Sequence, residues 1–109
     1  TVPARQELWS NYDEFYGHHR RYDLAMLRAL GDCEGWQTRR CGYAFHALYP
    51  PARMLGLLGL RRGVQLRAPR GAAIALHAAL AALMVADWRL LPGRVPGSSA
   101  VACFERAAG

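Results

Sequence analysis

Two stretches of this chain place ionisable side chains where they could do chemistry. The first is a lone imidazole: His77 is the single polar residue between Ala72 and Ala86. An ionisable group inside an apolar helix marks a functional position when that helix lies in lipid, and neutral imidazole is a common metal ligand. His77 is therefore the candidate ligand for a haem or chlorophyll. A hydrogen bond to a neighbouring helix is the commoner use of such a residue, and the sequence supplies no second ligand. The expectation is a chain with no cofactor and no metal of its own.

The second stretch is "GHHRRYD", Gly17 to Asp23, which holds His18, His19, Arg20, Arg21 and Asp23. On a helix, adjacent histidines point about 100° apart and do not chelate together. His19 and Asp23 are four apart and can pair. No nucleophile or oxyanion donor set accompanies them, so a polar helix surface is expected, not an acid–base site. Asp13 and Glu14 are neighbours in sequence and do not face each other. There is no P-loop, no dinucleotide-binding glycine motif and no zinc-protease motif. The three cysteines, Cys33, Cys41 and Cys103, are odd in number and match no zinc spacing. Free thiols are expected, with room for one bridge. These absences point to a protein that is not an enzyme.

The basic residues carry more information. All 14 are Arg. Arg offers a planar fork that binds carboxylate and phosphate in bidentate fashion, although an Ala-, Arg-, Gly- and Leu-rich composition also follows from a GC-rich genome. The charge is uneven. Residues 1–34 are net −2, residues 35–70 hold seven Arg and no acid, and residues 71–109 are net +1. Arg39, Arg40, Arg53, Arg61, Arg62, Arg67 and Arg70 are thus the candidate contacts to anionic lipid or to acidic partner subunits.

The elements that must position these residues read as all-α. Residues 1–34 form an amphipathic helical segment, with Leu8, Trp9, Tyr12, Phe15, Tyr16, Tyr22 and Met26 recurring at helical steps, Pro3 in the first turn and Gly31 as the left-handed stop. Residues 35–70 form a basic connector with short helices, one over 36–49 that Pro50 and Pro51 end. Residues 71–91 form one apolar helix. Residues 92–109 form a tail with a short terminal helix. β-branched residues are scarce and no strand is predicted. Several short helices plus one long helix leave no autonomous globular core.

The apolar helix decides the functional expectation. Gly71 to Leu91 rises about 32 Å, enough for a hydrocarbon core of about 30 Å, with Arg70 at one end and Trp88 and Arg89 at the other. Its Leu, Ile and Val residues favour insertion by only about 1.5–3 kcal/mol in total, so it needs partner helices. Gly71, Ala75, Ala79, Ala82 and Ala86 form the candidate helix-packing face, where small residues allow close approach in lipid. The chain is expected to be a non-catalytic accessory subunit of a multi-subunit membrane complex, in an organelle and in the mitochondrial inner membrane before the thylakoid. Its partners are other subunits and anionic lipids. The seven Arg ahead of the helix put the N-terminal part on the matrix, stromal or cytoplasmic side, and the tail across the membrane. The alternative is a small basic subunit of a ribosome or another RNA–protein assembly, with residues 35–70 along the phosphates.

Overall fold

Two runs with only one β-branched residue each, Thr38 and Val101, nevertheless pair as long strands. The computed structural model describes residues 1–64 and 67–106. Its sheet has three antiparallel strands: β1 (Val2–Pro3), β2 (Trp36–Ala44) and β3 (Ser99–Arg106), in the order β1-β3-β2. Between them lie α1 (Asn11–Phe15), α2 (Leu24–Cys33), α3 (Tyr49–Leu57) and α4 (Ala72–Leu90), with 3-10 turns at Gln6–Leu8 and His46–Leu48. The fold is therefore mixed α/β, and the expected all-α class is corrected by the sheet.

The expected helix over 36–49 is strand β2 as far as Ala44, the expected terminal helix is strand β3, and Pro50 and Pro51 open α3 and do not end a helix. β2 and β3 pair from Trp36↔Arg106 to Ala44↔Ser99, with one bulge between Thr38 and Arg40. Ala100 and Ala102 alternate along β3 and point to the small core. Alanine and cysteine at alternating positions carry too little contrast for the period of two to stand out. The residues fill a narrow gap: α2 lies so close that a Cβ on Gly31 would sit 2.6 Å from the Phe104 ring. Gly31 is thus a packing residue inside α2, not its stop. The left-handed stop is Gly35, at φ 71°, just after the last turn of α2.

The expected amphipathic helical segment of residues 1–34 is divided into β1, a 3-10 turn, α1 and α2. Pro3 sits in an edge strand, where its missing donor leaves no pairing unmet. Ser10 and Asp13 form a capping box that starts α1: the Ser10 amide donates to Asp13 Oδ2 at 2.9 Å and Ser10 Oγ accepts from the Tyr12 amide at 3.3 Å. Asp23 caps α2 through the Met26 amide at 2.8 Å.

A core does exist, contrary to the expectation of none, but it is small. Among the described residues six apolar side chains are buried, and Ala4, Leu27, Tyr43 and Ala100 form the central cluster. Because β3 lies between β1 and β2, the C-terminal segment is beside the N-terminal one.

The sheet closes by backbone contact at Gly97, whose ideal Cβ would fall on the Ala44 carbonyl. Gly97→Ala is expected to destabilise the fold by about 1–3 kcal/mol, as overpacking does. Thermal unfolding followed by tryptophan fluorescence should show a lower Tm than Gly35→Asn, which keeps a residue that tolerates the left-handed region.

Candidate functional site

α4 is the longest element and the least covered. It has a mean hydropathy of 1.5 over its apolar window, and 6% of that window is buried. From Ala72 to Leu83 every residue is exposed except Ala73, which is half-buried. Ile74, Leu76, Leu80 and Leu83 are each about half exposed or more. The molecule measures 53 × 28 × 24 Å, as expected for a chain whose longest helix is attached at one end only.

The attachment is polar. Asp87 is 6% exposed. Its Oδ2 accepts the backbone N–H of His46 at 2.8 Å and lies 3.0 Å from His46 Nδ1, and its Oδ1 accepts the Ala47 N–H at 3.1 Å. Asp87 thereby caps the 3-10 turn that leads into α3, from a distant part of the chain. Phe45, at φ 58°, turns the backbone out of β2 so that these two amides face the carboxylate. A non-glycine residue in that region is uncommon and is held there by its surroundings. His46 is 5% exposed, and its Nε2 has no hydrogen-bond partner among the described residues. Trp88, next along the helix, lies 4.9 Å under the Arg40 guanidinium.

The chain leading into α4 is tied to the same body. Asn11 Nδ2 donates to the Arg62 carbonyl at 2.8 Å, the Arg62 amide donates to Asn11 Oδ1 at 3.2 Å, and Tyr12 Oη donates to the Gly63 carbonyl at 2.9 Å. The chain leaves the body after Gly63 and returns to it near Met84, and residues 67–83 are the described part of that excursion. Arg67, Arg70 and Gly71 are exposed at its outer end.

A second polar cluster lies on α1. Asp13 is 1% exposed. Arg21 Nε reaches both of its oxygens at 3.0 Å, and His18 Nδ1 lies 3.1 Å from Oδ1. Burial by itself would raise this carboxyl; hydrogen bonds from His18, Arg21 and the Ser10 amide outweigh it and hold Asp13 below the usual carboxylate range.

The residues singled out from sequence are now placed. His77 is exposed midway along the free part of α4, and among the described residues no three His, Cys, Asp or Glu side chains converge for a metal. Gly71, Ala75, Ala79 and Ala82 are exposed and Ala86 is half-buried. His19 and Asp23 do not share a helix: His19 is in coil and Asp23 caps α2. Arg39 pairs with Glu105 and Arg61 with Glu14. Arg53 Nη1 reaches the Glu7 carbonyl at 3.4 Å, and Arg62 lies 4.2 Å over the Tyr12 ring. All three cysteines are free. Burial raises the Cys41 thiol pKa, against the nearby positive charge of Arg28.

Sequence reasoning missed Asp13–Arg21–His18 and His46–Asp87. The first had a signal in the Ser10–Asp13 spacing. The second had one in Asp87 itself, an acid at the end of an apolar helix that requires a partner. Comparison of the chain with protein-family models, with curated proteins and with solved structures finds no match.

The Asp13 carboxylate has a depressed pKa when folded. Its stabilisation is present above the unfolded value of about 3.9 and is lost as pH falls through the lower folded value. Acid unfolding should therefore steepen below about pH 4. Asp13→Asn should lose roughly 3–5 kcal/mol at neutral pH, because it leaves Arg21 buried without its counter-charge, and should show a flatter pH dependence of Tm between pH 7 and pH 2.

Proposed function

We propose that this chain is a non-catalytic accessory subunit of a multi-subunit membrane complex, and that α4 is the element that holds it there. The observation that carries the reading is the exposure of α4: a 19-residue apolar helix with 6% of its window buried. Covering Ile74, Leu76, Leu80, Leu83 and Val85 would stabilise an assembly by about 5 kcal/mol at the usual value per apolar area. A helix apolar on every side needs cover on every side.

The closed excursion bears on what that cover is. With the body on one side of a bilayer, α4 cannot cross alone, because the connector that feeds its outer end must make the same journey. Lipid does not tolerate irregular backbone, and each of Arg67 and Arg70 would add about 2.5–3.5 kcal/mol at the bilayer centre. Partner helices are the better cover for the shaft, packed on the Ala75, Ala79 and Ala82 face. Arg67 and Arg70 then meet lipid head groups or acidic partner side chains. The N-terminal segment and β3, which share one sheet, lie on the same side of the membrane. Pairing of Arg39 and Arg61 with acids of this same chain disfavours the RNA-bound alternative, which needs those charges free for phosphates.

Two measurements test this. Membranes washed with alkaline carbonate or high salt should retain the chain in the pellet; its release into the wash with RNA would overturn the reading. Leu76→Glu with Leu80→Glu should abolish co-purification with the complex while the circular dichroism of the isolated chain is unchanged. Wild-type recovery of that double variant in the complex would also overturn it.

A further inference from the structure

A cavity of about 420 Å³ is bordered by α1, α3 and the start of β3, and none of its lining residues lies on α4. Its single carboxylate, Asp13, is fully engaged by Arg21, His18 and the Ser10 amide. Arg21 has a side chain only 10% exposed. It donates through Nε to Asp13 and through Nη1 to the carbonyls of Ala4 at 3.0 Å and Ser98 at 3.4 Å. Its Nη2 has no partner among the described residues, although the guanidinium borders the cavity. A guanidinium nitrogen that borders the cavity without a protein acceptor can donate to a ligand there.

Arg62 borders the same space. Its guanidinium stacks over Tyr12 and reaches Ser10 Oγ at 3.4 Å. No carboxylate of the cavity pairs with it, so the site carries net positive charge. His18 has Nδ1 held by Asp13 and its ring stacked on Tyr16 at 6.1 Å. The opposite wall is apolar, with Leu48, Pro51 and Leu55. Leu55 belongs to α3, whose Met54 and Leu57 are exposed.

We propose that this cavity binds a phosphate group, with Arg62 and Nη2 of Arg21 as donors. Guanidinium forks match phosphate oxygens in geometry and charge. The phosphate is that of a phospholipid head group or of a free phosphate compound; the apolar α3 wall suits an acyl chain. The proposal does not rest on the role of α4.

The test uses the full chain. Equilibrium dialysis with labelled inorganic phosphate should show binding that Arg62→Gln weakens by about tenfold, the value of one charge-assisted hydrogen bond. Arg62→Lys, which keeps the charge and loses the fork, should fall between. Arg67→Gln, the same charge change outside the cavity, should leave binding unchanged. Leu76→Glu with Leu80→Glu should bind phosphate as the wild type does, which separates this site from the α4 reading. Absence of binding by the wild type, or equal loss in the Arg62 and Arg67 variants, overturns the proposal. Flotation with phosphatidylcholine vesicles, with and without phosphatidic acid, identifies the source. Arg62-dependent flotation with phosphatidic acid assigns a head group. Arg62-dependent dialysis without flotation assigns a free phosphate. Either result supports the site.

Discussion

The Asp87 carboxylate is the joint on which the architecture depends. It is the only buried residue of α4, and it accepts hydrogen bonds from the two amides that begin the turn into α3. A buried charge is tolerated when its oxygens are satisfied, and is strongly destabilising when they are not. The geometry of the joint therefore fixes the base of α4 against the end of β2, through Phe45 and His46. A helix otherwise free on all sides is thereby held to a body from which it projects.

The rest of the body uses the same device, because it has little apolar interior. The six buried apolar side chains among the described residues, two of them alanine at 0% exposure, bury too little area to hold several elements together. Buried polar groups add the fixed geometry. Asp13 joins α1 to the segment before α2 through Arg21, and Arg21 extends the link to the carbonyls of Ala4 and Ser98, beside the β1–β3 pair. Glycines bring backbones together where side chains would not fit: Gly42 against Gly93, and Gly97 against Ala44. The fold is held by satisfied polar contacts and close backbone approach more than by a large core.

This economy leaves apolar surface outside. Leu57, Leu58, Leu60, Ile74, Leu76 and Leu80 are among the exposed large side chains. Together with α4 they form far more apolar surface than a small free-standing domain ordinarily presents. The basic segment shows the opposite behaviour. Its seven Arg have no acid within residues 35–70, yet Glu14 and Glu105 arrive from distant parts of the chain. Among the described residues Arg40, Arg53, Arg62, Arg67 and Arg70 have no acidic partner, and the last two lie ahead of the start of α4.

The sequence by itself determined the apolar helix and the lack of a polar face along it. Those properties follow from fifteen consecutive positions with one polar side chain, and no tertiary contact alters them. It also determined the charge blocks and the absence of catalytic motifs. Only the tertiary structure decided the sheet. Whether "WQTRRCGYA" and "SAVACFER" become strands depends on their finding each other across the residues 45–98 between them, and small side chains leave no periodic trace of that pairing. The two carboxylate joints were decided in the same way. The sequence signals at Asp13 and Asp87 do not name their partners, because the amides, imidazoles and guanidinium that satisfy them are brought within 3.1 Å only by the fold.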